Sequence, residues 1–180
     1  MVVVEPARPE PGYWAGAPSA LVTGADTWLA YRERDPERRG GRVVLAHAHA
    51  GRPFDPVVVL DQERFGAESL ERPALTLTGD GRWRLYVSCA TPGSKHWRIE
   101  LLEAAAPERL GEAAARTVLP GDELTAVKDP VIRFAARARD ARPDERDALW
   151  NLMTSVGPDL ARYRRESGRE VPIVILERTV

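Results

Sequence analysis

The sequence lacks the features of a disulfide-stapled, secreted or membrane-spanning protein. Cys89 is the single cysteine among 180 residues, so an internal disulfide framework is excluded. No apolar run approaches the roughly 20 residues that a spanning helix needs. Residues 1–10 have neither the basic segment nor the long apolar core of a secretory signal. These absences predict a cytoplasmic protein with no membrane span.

An excess of one charge is also lacking. The chain has 26 Lys and Arg against 27 Asp and Glu, and a formal net charge of -1 gives no long-range attraction to nucleic acid. The arginine-rich stretches contain Asp or Glu throughout, as solvated surfaces do. The glycine clusters near residues 40 and 80 lack the strand-to-helix context of a phosphate-binding loop. We therefore predict no nucleic-acid partner and no cofactor from motifs of this kind.

What the sequence does contain is a repeated strand pattern. Within residues 69–106, an alternating run leads to a Gly-Asp-Gly turn and is followed by two more alternating runs, which is the pattern of an antiparallel unit. An earlier copy begins near residue 13, and the two copies share a Pro step, a strand, a Gly/Asp turn and a Trp-x-x-Tyr strand. The steps at Pro18, Pro73 and Pro130 recur at similar intervals, near the 40–50 residues or so of a propeller blade.

The predicted fold is mostly β. It is a partial β-propeller of about two to three four-stranded antiparallel blades, followed by a C-terminal helical segment and a final strand. Residues 1–12 form an N-terminal extension, residues 13–132 a propeller-like β domain, and residues 133–180 an α/β segment. In that last segment a helix is expected from residue 143 to the Gly-Pro at 157–158, then a short helix over 159–166 and a buried strand over 171–176.

Residues 13–132 resemble the five-bladed β-propeller glycosidases, the superfamily of glycoside hydrolase families 43, 32 and 130. The matching stretches are WAGAPSA with LAYRER, SLERPAL with GRWRLYVS, and VKDPVI. The resemblance implies a carboxylate at the start of the inner strand of each of the first blades, all converging on a central funnel for glycoside hydrolysis. Here the first position is Ala17, the second is Arg72 preceded by Glu71, and the third is Asp129.

Asp129 and Glu71 are therefore the candidate catalytic residues. Arg32, Arg72 and Trp97 are the candidate substrate-binding residues, because guanidinium groups bind hydroxyls or anions and an indole stacks on a sugar ring. Each also fits a plainer interpretation: strand-end acids paired with Arg or Lys neighbours, solvated loop arginines, and a Trp packed into its sheet.

His47 and His49 alternate along one predicted strand and so share a face, within reach of one metal ion. No third ligand follows at a recognisable spacing. The sequence therefore favours strand histidines over a metal site, and none is predicted.

Residues 138–178 resemble a different family, the C-terminal end of the deazaflavin-dependent nitroreductases, which have a split β-barrel fold. The resemblance is carried by ARPDERDALW, the region of Pro158 and Tyr163, and GREVPIVILER. It implies that Tyr163 helps to bind a deazaflavin coenzyme.

Three functions follow from these patterns. The first is a glycosidase-like protein that hydrolyses or binds a glycoside by carboxylate acid/base chemistry, with no cofactor. The alternatives are a deazaflavin-dependent nitroreductase or quinone-reductase-type oxidoreductase, and a non-catalytic carbohydrate-binding or interaction module. The expected ligand is a small molecule or carbohydrate, and a second copy of the chain is one way to complete the open sheet edge of an incomplete ring.

Overall fold

Two compact units make up the chain, Met1–Ile132 and Arg133–Val180. The computed structural model describes residues 4–38, 40–94, 96–122, 127–131, 136–156 and 174–178. Within these ranges, no helix is long and apolar enough to cross a membrane.

The first unit contains two four-stranded antiparallel sheets, each with its strands in sequence order. Sheet 1 consists of β1 (Trp14–Thr23), β2 (Asp26–Arg34), β3 (Arg42–His49) and β4 (Asp55–Asp61). Sheet 2 consists of β5 (Ser69–Leu77), β6 (Trp83–Ala90), β7 (Trp97–Ala104) and β8 (Arg116–Leu119). Short 3₁₀ helices follow β4 and β7, at Gln62–Phe65 and Pro107–Gly111. The prediction of a mostly β fold of four-stranded antiparallel blades is confirmed.

The main core lies between the two sheets. Alternation along each strand directs one set of apolar side chains toward the other sheet, and Trp28 of β2 meets Trp83 of β6 edge to face at 5.3 Å between ring centroids. These two tryptophans open the repeated Trp-x-x-Tyr pattern of the sequence. The opposite face of sheet 1 carries a smaller cluster, onto which Val4 and Phe54 pack; its buried members are Leu29, Tyr31, Val44 and Ala46.

The two inner strands, β1 and β5, lie side by side. The backbone N–H of Leu75 donates to Ser19 Oγ at 2.9 Å, and the backbone N–H of Leu70 donates to the carbonyl of Gly40 at 2.7 Å. Both strands are bulged next to their proline, with register shifts between Gly16 and Ser19 and between Leu70 and Pro73. The steps predicted at Pro18 and Pro73 therefore share a local geometry.

The third step, at Pro130, shares a left-handed backbone with the first step but lies in an irregular segment. Asp129 has a left-handed backbone with φ of 57°, as Ala17 has before Pro18 at 53°. The backbone N–H of Asp129 donates to Ser88 Oγ of β6 at 2.9 Å. Residues 127–131 are irregular, so the strand expected to begin at Pro130 does not begin within the described residues 130 and 131, and residues 132–135 lie outside the described part of the chain.

The second unit has a two-stranded antiparallel sheet and a helix. β9 (Ala136–Asp140) pairs with β10 (Val174–Arg178), and α1 (Pro143–Val156) lies between them in sequence. Glu145 in the first turn of α1 accepts the backbone N–H of Arg142 at 3.1 Å, which is one half of a capping box. The predicted helical segment and a final strand are confirmed, but the strand spans Val174–Arg178, whereas it was expected over residues 171–176, of which 171–173 lie outside the described residues. The strand β9 was not predicted, and the short helix expected over 159–166 also lies outside the described residues.

Candidate functional site

An ion pair between the sheets marks the candidate site. Arg32 follows Trp28 and Ala30 on the face of β2 that meets sheet 2, and its Nη1 contacts the carboxylate of Glu71. Glu71 lies in the bulge of β5, which displaces it from regular strand register. The two side chains are only 11% and 23% exposed, so water screens this pair less than it screens a surface pair. Arg32 Nε is buried without a hydrogen-bond partner among the described residues.

Glu71 faces a cleft of about 700 Å³ on the first unit. Trp97, at the start of β7, forms part of its wall, and the ammonium group of Lys128 lies 5.3 Å from the centroid of the Trp97 ring. The other lining residues are Glu37, Arg38, Gln62, Glu68, Ser69, Ala90 and Ser94. The cleft thus combines an aromatic wall with both acceptors and donors for hydrogen bonds.

A second tryptophan contacts the guanidinium of the ion pair. Trp14 opens β1, is 42% exposed, and has its ring 4.9 Å from the Arg32 guanidinium. Its indole lies against Gly16, where any Cβ would collide with the ring. Trp14 is not one of the site residues predicted from the sequence. The available signal was an aromatic residue two positions before a strand glycine, a spacing that puts both on one face.

The predicted site residues are only partly brought together. Glu71 and Trp97 line one cleft, and Arg32 borders it through its ion pair with Glu71. Asp129 is exposed. It does not line the cleft itself, whereas the preceding residue, Lys128, does. Arg72 is exposed as well, and it is not one of the residues that line the cleft. Tyr163 lies outside the described residues, so its assignment to a deazaflavin pocket stays a prediction.

The two strand histidines converge on one carboxylate. His47 Nε2 and His49 Nδ1 each lie 2.8 Å from Asp26 Oδ1, and the His47 ring stacks on Trp28 at 4.3 Å. The hydrogen bond from His49, and after it in size the one from His47, holds the pKa of Asp26 below its ordinary value of 3.8. Within the described part of the chain, no group of three or more His, Cys, Asp or Glu could hold a metal ion.

Cys89 lies in the core between the sheets. Burial raises the pKa of its thiol to about 12, so it is protonated at neutral pH and unsuited to nucleophilic catalysis. Its thiol donates to the carbonyl of Val87 at 3.7 Å.

A scan of known protein families finds no match to this chain, and a search of curated proteins finds none. Among solved structures, it is similar to a putative glycoside hydrolase from Parabacteroides distasonis, with 16% identity and a TM-score of 0.43 over 66% of this chain and 39% of that one. A structure described under the GH130 family of mannoside phosphorylases, containing glycoside hydrolases that target β-1,2 mannosidic linkages in Candida mannan, has 16% identity and a TM-score of 0.44, with coverages of 66% and 38%.

A glycosyl hydrolase from Bacteroides ovatus has 15% identity and a TM-score of 0.43, again over 66% of this chain and 38% of that one. The chain thus spans about two fifths of the length of each of these three proteins.

Proposed function

We propose that the cleft beside the Arg32–Glu71 pair binds a glycoside. The observation that carries this proposal is the position of Glu71: its carboxylate is held by a largely buried guanidinium and faces a cleft whose wall contains the indole of Trp97. Carboxylate and guanidinium groups bind sugar hydroxyls, while an indole packs against the apolar face of a sugar ring. Saccharides present both kinds of surface at once.

Hydrolysis is the finer form of this proposal. It needs two carboxyl groups on either side of the glycosidic bond, one acting as acid and the other as base or nucleophile. Glu71, fixed by Arg32, takes the second role, and the exposed Asp129 takes the acid role. The ion pair suits Glu71 to this second role, because a carboxyl group that must donate a proton is not suited to an ion pair.

Binding without hydrolysis is the second candidate. Ala17 stands where the glycosidase resemblance expects the first of three carboxylates, and a chain that only binds sugar does not need that group. Such a protein still requires the cleft, Glu71 and Trp97.

Two variants separate these candidates. We expect xylobiose, mannobiose or cellobiose to bind the full chain in calorimetric titrations, and Glu71→Gln to weaken the best of them by about tenfold, since the amide keeps the shape but loses the charge. Asp129→Asn should leave binding within about twofold and abolish turnover of aryl glycosides. Turnover unchanged in Asp129→Asn would reject its acid role, and failure of all three disaccharides to bind the wild type would reject the proposal.

A further inference from the structure

The indole of Trp14 is held in place on the outside of the protein. One edge rests on Gly16, and the guanidinium of Arg32 lies 4.9 Å from its ring. Gly16 sits directly opposite Arg32 in the pairing of β1 with β2, so the Trp14 ring, Gly16 and the Arg32 guanidinium lie together at one end of sheet 1. A large aromatic side chain with 42% of its surface in water is nevertheless fixed by two specific contacts.

Glycine inside a strand weakens the strand, and the usual reason for keeping it is close approach of another group. Here the approaching group is the Trp14 ring. No positive φ is involved at Gly16, so backbone strain does not account for the glycine. Its missing Cβ leaves room for the Trp14 indole, which any larger residue at this position would displace.

The position of Trp14 relates it to the cleft. Arg32 contacts Trp14 with its guanidinium and Glu71 with Nη1, and Glu71 shares the cleft wall with Trp97. Of the described residues, Trp97 lines the cleft together with Glu71, whereas Trp14 lies beside the cleft, next to the Arg32 guanidinium of the pair. A ligand that binds the Glu71 carboxylate from the cleft and extends past the pair reaches the Trp14 indole.

We infer that Trp14 is a second aromatic platform of the glycoside site, which packs against a sugar ring next to the one that contacts Trp97. This inference rests on the proposed function. It adds a residue and a minimum ligand size: a saccharide of at least two rings, with its apolar ring face against the indole.

The decisive variant is Gly16→Ala. A methyl group at this position displaces the Trp14 ring while leaving the tryptophan, Arg32 and Glu71 in the chain. Gly79→Ala is the matched control, because a Cβ there meets nothing within 4 Å and the residue has no positive φ. We expect Gly16→Ala to weaken binding of the best of xylobiose, mannobiose and cellobiose by roughly tenfold. Gly79→Ala should bind as the wild type does.

A spectroscopic measurement distinguishes a Trp14 side chain that contacts the sugar from one that only covers the Arg32–Glu71 pair. The Trp14 indole N–H resonance is identified by its loss in Trp14→Phe and followed while the disaccharide is added. A platform shifts this resonance in wild type, with the same half-saturation as the calorimetric titration. Disaccharide binding that leaves the resonance in place and is equally strong in Gly16→Ala would overturn this inference alone. No disaccharide binding to the wild type would overturn both it and the proposed function.

Discussion

At the scale of single residues, Arg32 and Glu71 depend on each other. Each is largely removed from water, so neither can lose its partner without leaving an incompletely compensated charge. Arg32 already has one buried nitrogen without a partner in the described structure, which leaves little alternative hydrogen bonding for its guanidinium. The pair is therefore a structural tie between the sheets as well as a feature of the site.

Loss of one member of the pair is expected to destabilise the first unit. Glu71→Ala should lower the free energy of unfolding by about 1–3 kcal/mol, because the guanidinium stays buried without its carboxylate. The double variant Arg32→Met, Glu71→Leu should recover most of that loss, since it removes both charges and keeps volume. Urea denaturation of the three proteins measures this. A double variant no more stable than Glu71→Ala would show that the pair is not the origin of the effect.

Asp26 gives a pH-dependent contribution to stability. Hydrogen bonds from His49 and His47 lower its pKa in the folded state, so the folded protein binds its proton less readily than the unfolded chain does. The contribution is therefore present above the unfolded pKa of about 3.9 and is lost as the pH falls through the folded value.

The corresponding variant is Asp26→Asn. Its urea midpoint should lie below that of the wild type from about pH 5 to 7, and the two should converge toward about pH 2, where the wild-type carboxyl is protonated as well. A gap that widened as the pH fell would contradict the assignment. His49→Gln should close part of the gap, because His49 is the larger cause of the lowered pKa.

At the scale of elements, the start of β5 is fixed by the loop between β2 and β3. Gly40 has φ of 79°, accepts the Leu70 N–H with its carbonyl, and has no room for a Cβ, which would overlap the Leu70 carbonyl oxygen and Ser69 Oγ. Glu71 is the next residue of the strand. The loop therefore positions the carboxylate of the site.

Two glycine variants distinguish this close approach from backbone strain. Gly66 also has a positive φ, of 52°, but a Cβ there meets nothing within 4 Å. Gly66→Ala should cost about 1 kcal/mol of unfolding free energy, from the left-handed backbone alone. Gly40→Ala should cost clearly more and also weaken disaccharide binding. Equal losses in urea denaturation would mean that contact with Leu70 is unimportant.

The sequence predicted those elements that have a strong pattern of their own. Alternating apolar residues and the Asp-Gly turn identified β5 and β6, and the repeated Trp-x-x-Tyr placed β2. The strand β9 was missed because its Arg and Ala residues carry no apolar alternation, and its pairing with β10 is a long-range contact. Asp26 was missed as a cluster member because both of its histidine partners are on another strand. Trp14 was missed because its contact with Arg32 joins two strands, although its other contact, Gly16, is on its own strand.

At the scale of the whole molecule, stability of the first unit depends on the core between its two sheets. Leu45 of β3 is fully buried there, whereas Val59 of β4 is 51% exposed on the other face of sheet 1. Leu45→Ala should lower the unfolding free energy by about 2–5 kcal/mol through lost burial and a cavity. Val59→Ala, as the matched control, should change it by less than about 1 kcal/mol. Similar losses in thermal and urea denaturation would place the main core elsewhere.

The prediction that a second copy of the chain completes an open sheet edge stays a prediction, as does the deazaflavin alternative. The glycosidase resemblance identified Glu71 from its place before Pro73, while its salt bridge to Arg32 required the packing of one sheet on the other.

The edge-to-face contact of Trp28 with Trp83 provides the molecule with an internal optical reporter. Two indoles 5.3 Å apart couple their electronic transitions, and one of them belongs to each sheet. The resulting exciton band in circular dichroism should vanish when the sheets separate, even while the hairpins within each remain formed. Comparison of that band with the backbone signal during denaturation would thus show whether the two sheets separate before the strands within each sheet unfold.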